Sequence, residues 1–243
     1  MQNQIFTLTF LVAVSGCDSS KSTSNDAVES SSDPDASIAQ QILPLGDSIT
    51  AGFPFTYRYP LYNQLTEQNY LFDFVGSHTN GAWEYPESGW DQDNEGWPGW
   101  TTSGIEERLT DWSSDYTVDL ALIHLGTNDA REGDVEESVV AMTSIVEQLR
   151  ANNASVSICM AQIIPYGILE EEGTSTTELN AFVDDWNSRL ATLVSDMTTA
   201  QSPIVLVDMN SDFGDSDLDD GIHPTHAGVE KMADKWLECI FAF

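Results

Sequence analysis

Basic residues are scarce in this sequence: eight Lys and Arg stand against 40 Asp and Glu in 243 residues, a formal net charge of −32. A chain this negative repels nucleic-acid phosphates and anionic lipid head groups, so we expect neither as a partner. The negative charge suits an exported protein that is kept soluble by its charge. A salty medium would screen the repulsion between charges within the same molecule. The hydrophobic share of 41% excludes an acidic chain that is disordered throughout, and the length allows one α/β domain or two small ones.

The N-terminal apolar run, residues 5–14, is too short to span a bilayer comfortably and has the length of a signal-peptide core. It leads into Val14-Ser15-Gly16-Cys17, which resembles the bacterial lipobox, although no Lys or Arg precedes it. We therefore predict a signal peptide over 1–16 and a lipid on Cys17. The protein would then be located at the bacterial cell envelope and would contact a membrane only through this lipid anchor. An ordinary secretory signal and a plain apolar strand are the alternatives. Residues 17–39 are rich in Ser and Asp and predict a flexible tether before one domain over 40–243.

Cysteine is also rare, with only Cys159 and Cys239 besides Cys17. Export would permit a disulfide between them, but two cysteines are also easily free and buried, and we favour the free state. No zinc-type spacing and no phosphate-binding glycine loop occurs. Two acidic clusters, 91–96 and 215–220, suggest calcium, but neither has the Glu that an EF-hand places at its twelfth position, so we predict no bound metal.

From residue 40 onwards, short apolar runs alternate with longer amphipathic ones. Strands are predicted at 41–45, 71–75, 119–125, 155–163 and 203–208, and helices at 58–68, 102–110, 134–151, 175–197 and 226–241. This alternation predicts a three-layer α/β/α sandwich with a five-stranded parallel sheet covered on both faces. Pro44 lacks a donor for the ladder, so we place it near the end of the first strand.

Three polar segments flank these elements. They are Gly46-Asp47-Ser48-Ile49-Thr50 after the first strand, Gly126-Thr127-Asn128-Asp129 after the third, and Asp220-Gly221-Ile222-His223-Pro224 before the last helix. A serine nucleophile needs a base, a histidine can serve near neutral pH, and a carboxylate fixes its tautomer. The pattern therefore predicts Ser48 as nucleophile, His223 as base and Asp220 as its partner. The amide of Asn128 and the backbone N–H of Ser48 are predicted to stabilise an oxyanion.

In this order the segments resemble the blocks of the SGNH hydrolase (GDSL-type esterase) superfamily over residues 42–240. The resemblance implies the flavodoxin-like fold of that family and the same roles for Ser48, Asp220, His223 and Asn128. It also implies a glycine whose backbone N–H completes the oxyanion hole. Gly99 is the best match for that glycine, and Gly76 and Gly96 are rivals. The first block reads Gly-x-Ser-x-Thr, which argues against the Gly-x-Ser-x-Gly elbow of α/β-hydrolases.

Longer stretches are similar to carbohydrate esterase family 3, the acetylxylan-esterase-like branch: residues 42–50, 57–61, 72–77 and 96–100. This resemblance implies a monomeric esterase that removes acyl groups, chiefly acetyl, from carbohydrate through an acyl-enzyme, with no cofactor. A lipase, lysophospholipase or arylesterase of the same superfamily acting on another small ester is the first alternative. A non-catalytic carbohydrate-binding surface lipoprotein is the second.

Several other side chains admit both a functional and a structural interpretation. The loop 78–101 contains four tryptophans that can stack on sugar rings or hold the loop to the body of the protein: Trp83, Trp90, Trp97 and Trp100. We predict substrate contacts for Trp97 and Trp100, which flank Gly99. Trp112, Trp186 and Trp236 are expected in the core. Arg58 is expected in a structural ion pair, His78 and His124 in structural roles, and His226 at the surface or in a cap.

Overall fold

The computed structural model describes residues 39–81, 84–169 and 175–243. The predicted signal peptide, the lipid site at Cys17 and the predicted tether up to residue 38 lie outside the described residues, and so does Trp83. Those predictions therefore stay predictions. The part that is described forms a parallel sheet with helices packed on both of its faces.

Five main strands form the sheet in the order β2-β1-β4-β5-β6, all parallel, and a short β3 pairs with β1. Their bounds are β1 Gln40–Gly46, β2 Phe72–Phe74, β3 Glu95–Gly96, β4 Leu120–His124, β5 Ser157–Ala161 and β6 Ile204–Val207. The predicted fold class and all five predicted strands are confirmed. The two-residue β3 was not predicted, because so short a strand carries no periodic signal.

Seven α-helices lie in the described part of the chain. They are α1 Ser48–Ala51, α2 Arg58–Glu67, α3 Thr102–Trp112, α4 Asp129–Glu132, α5 Val135–Asn152, α6 Thr176–Met197 and α7 His226–Ile240. Side chains of Asp134, Ser175 and Thr225 accept hydrogen bonds from backbone N–H groups in the first turns of α5, α6 and α7, so each helix begins where its capping residue stands. Across the described ranges, we find no helix with the length and apolarity that a membrane crossing requires.

The sheet separates two hydrophobic cores because successive strand residues point to opposite faces. In β4, Ala121 and Ile123 join the core under α3, α5 and α6, while Leu120 and Leu122 join the core under α2 and α7. Trp186 and Trp236 are the largest fully buried side chains of these two cores, as expected. The three-layer arrangement leaves the carboxyl ends of β1 and β4 side by side, where ligands bind in open parallel sheets.

Pro44 lies two residues before the end of β1 and is paired with Leu122 of β4. The carbonyls of Ile42 and Gly46 accept from Val75 and Trp97 on the opposite side of β1. Because alternate residues of a strand direct their polar groups to the same side, Pro44 faces that side as well. There β2 pairs only as far as Ile42 and β3 begins opposite Leu45, so the missing donor falls in a gap between two partners.

Cys159 of β5 and Cys239 of α7 form a disulfide, so the expectation of free thiols is wrong. The Cα atoms lie 6.2 Å apart although 80 residues separate the two positions. That distance is within the range that a disulfide bridges. The pairing follows from the packing of α7 on the sheet, which no local sequence signal encodes.

Candidate active site

The predicted nucleophile, base and carboxylate lie together at the carboxyl edge of the sheet. Ser48 opens α1 directly after β1, and His223 lies in the loop before α7. The Ser48 Oγ lies 2.9 Å from His223 Nε2 although 175 residues separate them. The His223 Nδ1 lies 2.8 Å from Asp220 Oδ2. The structure thus places a hydroxyl, an imidazole and a carboxylate in one hydrogen-bonded row.

The turn that presents Ser48 depends on Gly46 and Asp47. A Cβ atom on Gly46 would lie 2.3 Å from the His124 carbonyl oxygen, so only glycine lets β1 approach β4 this closely at its end. The Asp47 Oδ1 accepts a hydrogen bond of 3.0 Å from the Ile49 N–H and so caps α1. The helix α1 thus begins almost directly after β1, and Ser48 lines the pocket described below.

Asp47 is a fully buried carboxyl beside the nucleophile. Burial raises its pKa to about 6, against the opposing effect of the Ile49 N–H bond. Asp47 therefore takes up a proton far more readily than an exposed aspartate. Although Asp47 is next to Ser48 in the sequence, the carboxylate that contacts the His223 ring is that of Asp220.

Asp220, in contrast to Asp47, is held as an anion. Burial alone would raise the pKa of its carboxyl, but hydrogen bonds from the backbone N–H and ring of His223 and from the Ile222 N–H outweigh burial and lower it. Those backbone donors lie 2.8 and 2.9 Å from Asp220 Oδ1. The carboxylate can therefore keep the proton of His223 on Nδ1, which leaves Nε2 as an acceptor facing Ser48.

The pocket beside Ser48 has a volume of about 490 Å³. Its polar wall includes Ser48, His223, Asn80, Asn128 and Arg131. Its apolar and aromatic wall includes Ala51, Phe53, Pro98, Tyr166 and Ile222. Such a cavity, mostly apolar with a few convergent polar groups, has the character of a small-molecule site.

Asn128 and Gly99 form one side of this pocket. The Asn128 Nδ2 donates one hydrogen bond of 3.0 Å to the Trp100 carbonyl, which fixes the amide and leaves its second N–H available. Gly99 has a φ of +80°, in the region that favours glycine. Of its rivals, Gly96 donates its N–H to Asn94 Oδ1, and Gly76 packs against the Asn94 backbone. Of the three glycines considered from the sequence, Gly99 is the one that lines the pocket.

The loop that carries Gly99 is fixed at both ends. The buried Glu95 accepts four hydrogen bonds, from the N–H and Oγ of Ser77, the Trp97 indole and the Tyr116 hydroxyl. At the other end, the Asp129 carboxylate accepts from the Thr102 N–H. Glu95 thereby holds one end of this segment, and Asp129, the residue after Asn128, holds the other end at Thr102.

Trp97 and Trp100 do not line the pocket as the sequence suggested. Trp97 stacks on Trp112 with ring centroids 4.1 Å apart, and Trp100 lies 5.1 Å from Trp97. All three pack against the core on the α3 side of the sheet, and Trp90 is buried with its indole donating to the Pro86 carbonyl. Their placement fits the structural interpretation, in which these indoles hold the loop to the body.

Arg58 performs a task that the sequence did not reveal. Its guanidinium is fully buried and donates to four backbone carbonyls, those of Thr50, Ala51, Asn80 and Gln92, in place of the expected ion pair. Burial lowers its pKa to about 10. Arg58 thus ties the end of α1 to the loop that supplies Asn80 to the pocket.

The remaining histidines are placed as structural or surface residues. His124 is fully buried, burial lowers its pKa to about 4, and its Nε2 accepts from the Ile164 N–H. The His78 ring contacts Trp97, and His226 is exposed at the start of α7. Among the described residues, no group of three or more His, Cys, Asp or Glu is arranged to hold a metal ion.

Comparison with known proteins places this geometry in a family. The chain matches the model of the GDSL-like Lipase/Acylhydrolase family over residues 45–231. A curated relative, a multidomain esterase of Ruminococcus flavefaciens, is 28% identical over 221 residues, which cover 82% of this chain. The chain spans only 28% of the length of that relative.

Solved structures share the fold. A crystal structure of an acetyl esterase mutant with an acetate ion superposes with a TM-score of 0.74 at 27% identity, covering 84% of this chain and 97% of that one. A carbohydrate esterase family 3 structure from Talaromyces cellulolyticus gives the same four values. A Clostridium thermocellum family 3 carbohydrate esterase, at 24% identity and a TM-score of 0.68, covers 82% of this chain and 94% of that one and shares the fold. Because the family model matches most of this chain, the chain belongs to the GDSL-like lipase/acylhydrolase family of ester hydrolases, the SGNH hydrolases.

Proposed function

We propose that this protein is a serine esterase that hydrolyses acyl esters, chiefly acetyl esters, on carbohydrate. The observation that carries the proposal is the row Ser48–His223–Asp220, with links of 2.9 and 2.8 Å, at the wall of a pocket that Asn128 and Gly99 share. The likeness to an acetyl esterase and to a family 3 carbohydrate esterase, each at 27% identity, supports acetylated carbohydrate as the substrate class.

The first step forms an acyl-enzyme. His223 Nε2 takes the proton of Ser48 as Oγ attacks the ester carbonyl carbon, and the carbonyl π electrons move to the oxygen. The resulting oxyanion accepts from the backbone N–H groups of Ser48 and Gly99 and from the second N–H of Asn128 Nδ2. The Asp220 carboxylate stabilises the imidazolium. The bond to the sugar oxygen then breaks, and His223 returns the proton to that oxygen, which leaves as a hydroxyl group.

The second step restores the enzyme. His223 removes a proton from a water molecule as the water oxygen attacks the acyl carbon on Ser48. The same three donors receive the second oxyanion. When it collapses, the bond between the carbon and Oγ breaks, His223 returns the proton to Ser48, and the carboxylic acid leaves and ionises. Both steps use only side chains, backbone donors and water.

Replacement of the nucleophile tests the proposal. Ser48→Ala is expected to lower kcat on 4-nitrophenyl acetate by at least about a thousandfold, because it removes the hydroxyl that contacts His223 and carries the acyl group in the proposed mechanism. Ser188→Ala, an exposed serine of α6, is the matched control and should retain wild-type kcat. Unchanged melting temperatures would show that both variants fold, and wild-type kcat in folded Ser48→Ala protein would refute the mechanism.

A second candidate substrate class is an ester with a longer acyl chain, as in a lipase or a lysophospholipase. The apolar wall of the pocket, which includes Phe53, Pro98 and Ile222, favours it, since a volume near 490 Å³ exceeds what an acetyl group fills. A comparison of kcat/KM for acetylated xylan and for 4-nitrophenyl esters of increasing acyl length separates the two classes. Acetyl esterase action on carbohydrate requires deacetylation of the xylan and a fall in kcat/KM as the acyl chain grows.

We also propose that the protein is exported and carried on a lipid at Cys17. The apolar run 5–14 before that cysteine supports the proposal, and so does the disulfide between Cys159 and Cys239, a bond typical of oxidising compartments. Palmitate labelling in a bacterial host should occur in the wild-type chain and disappear in Cys17→Ala. Labelling that persists in the variant would contradict a lipid on Cys17.

A further inference from the structure

A row of aromatic side chains leads away from the rim of the pocket. We define the aromatic strip as Phe53, Phe55, Tyr59, Tyr85 and His226. The Phe53 ring meets the His223 ring at 5.6 Å. Two residues along the chain, the Phe55 ring contacts His226 at 5.7 Å and Tyr85 at 6.1 Å. The strip therefore begins at the ring of the proposed base and continues onto the outer surface.

The strip remains accessible on its outer side. Phe53 is 43% exposed, His226 is exposed, and Phe55, Tyr59 and Tyr85 are half-buried. Tyr59 stacks on Tyr85 at 4.5 Å and also contacts the buried Trp90, so Tyr85 is supported from within. Phe55 packs its inner side on the core under α2 and α7. Rings that are held rigidly provide contact area at little cost in conformational entropy.

We propose that the aromatic strip is a docking surface for the neutral sugar chain that bears the ester. The enzyme then acts on oligomeric and polymeric substrates in preference to single acetylated sugars. The inference rests on the proposed function, because Phe53 belongs both to the strip and to the pocket that holds Ser48. A chain that enters the pocket with one acetylated sugar must continue across the rim, and the strip occupies part of that rim.

The chemistry of the strip matches such a chain. The C–H faces of sugar rings pack on the faces of aromatic rings, which carry partial negative charge. His226, the one ring of the strip that can become a cation, lies 3.9 Å from Glu230, and the chain as a whole carries a charge of −32. An anionic polysaccharide would be repelled by that charge, so a neutral chain is the favoured occupant.

Two alanine variants outside the pocket test the strip. Phe55→Ala and Tyr85→Ala are expected to lower the ratio of kcat/KM for acetylated xylohexaose to kcat/KM for 4-nitrophenyl acetate by about tenfold. Tyr85→Phe, which keeps the ring, should retain the wild-type ratio. Because Phe55 also packs on the core, thermal melting checks each variant, and Tyr85→Ala provides an independent measurement at a residue outside that core cluster.

Phe241→Ala is the matched control. Phe241 is 52% exposed and follows the end of α7 opposite to His226. Fifteen helical residues place it roughly 22 Å away. This variant should retain the wild-type ratio of the two kcat/KM values. In the Ser48→Ala background, isothermal titration with acetylated xylohexaose should show weaker binding after Tyr85→Ala by about the same tenfold factor.

Each outcome decides the proposal. Activity on acetylated xylohexaose with a wild-type ratio in both alanine variants would overturn the strip while leaving the proposed function intact. Activity on 4-nitrophenyl acetate with none on any acetylated saccharide would overturn both. If the alanine variants lose activity on long-chain acyl esters and not on the oligosaccharide, the strip binds an acyl chain and the sugar-docking proposal is wrong.

Discussion

Two aspartates near the proposed base have carboxyl pKa values shifted in opposite directions, because one is buried and the other accepts several hydrogen bonds. Asp47 is buried, and its pKa rises to about 6, whereas Asp220 accepts hydrogen bonds from backbone and ring donors and its pKa falls. The spacing of Asp220 and His223 was enough to predict their pairing, since three residues in a tight turn bring the groups within reach. The burial of Asp47 could not be predicted, because it depends on how α1 packs on the sheet.

Asp47→Asn is expected to change how stability depends on pH. A carboxyl whose pKa is raised in the folded state stabilises the fold below its unfolded pKa of 3.8, and that contribution is lost as the pH rises through about 6. Asn can still accept from Ile49 but does not ionise. Relative to the wild type, the variant should therefore gain about 2 to 3 kcal/mol of unfolding free energy between pH 4 and pH 7.

Urea unfolding at the two pH values measures this gain. Asp184→Asn, at an exposed position of α6, is the control and should show almost no difference between them. A difference for Asp47→Asn no larger than that of the control would mean that the buried carboxyl is not protonated in the folded protein at pH 4.

Arg58 is expected to act as a positioning residue for Ser48. Arg58→Lys should lower kcat on 4-nitrophenyl acetate on the order of tenfold with a smaller change in KM, because an ammonium group cannot donate to all four carbonyls and α1 then shifts. Steady-state kinetics give the split between kcat and KM. Arg108→Lys, at an exposed site of α3, should behave as wild type, and a wild-type kcat for Arg58→Lys would show that Arg58 supports the fold alone.

At the scale of elements, the long periodic segments were predictable and the short ones were not. The helix α6 was expected at 175–197 and spans Thr176–Met197, because its apolar face repeats over six turns and Ser175 caps it. The helices α1 and α4 have only four residues each, too few for a periodic pattern. Yet α1 begins with Ser48, and α4 begins directly after Asn128. The orientations of Trp97 and Trp100 were missed because a loop has no period from which the direction of a side chain follows.

Glu95→Gln is expected to loosen the loop that carries Gly99. An amide nitrogen in place of one carboxylate oxygen leaves either the Trp97 indole or the Ser77 N–H without an acceptor, since both groups are donors only. We expect a loss of about 1 to 3 kcal/mol of unfolding free energy, measured by urea unfolding, and a lower kcat.

Glu107→Gln on the exposed face of α3 makes the same chemical change without a buried donor nearby and is the control for Glu95→Gln. Equal stability of the two variants would contradict an anchoring role for Glu95. A destabilised Glu95→Gln protein with unchanged kcat would show that the loop keeps its geometry through Asp129 and Asn128.

On the scale of the whole molecule, the disulfide joins the central sheet to the helix that follows His223. It closes a segment with a sequence separation of 80 residues, and a loop of that length corresponds to about 4 kcal/mol of stabilisation through the unfolded chain. The paired variant Cys159→Ala/Cys239→Ala should lose that amount of unfolding free energy and should therefore unfold at a lower urea concentration. A reductant should destabilise the wild type similarly and leave the variant unaffected. Equal stability of the oxidised wild type and the variant would contradict the expected contribution.

The same bond has a consequence for proteolysis. Any single cut of the backbone between residues 160 and 238 falls inside the closed segment, so both fragments stay covalently attached. Ser48 lies on the N-terminal fragment, and for cuts before residue 220 the Asp220–His223 pair lies on the other. A nicked molecule of this kind would migrate as one band on a gel until thiol is added, and it would keep its nucleophile and its base in a single particle.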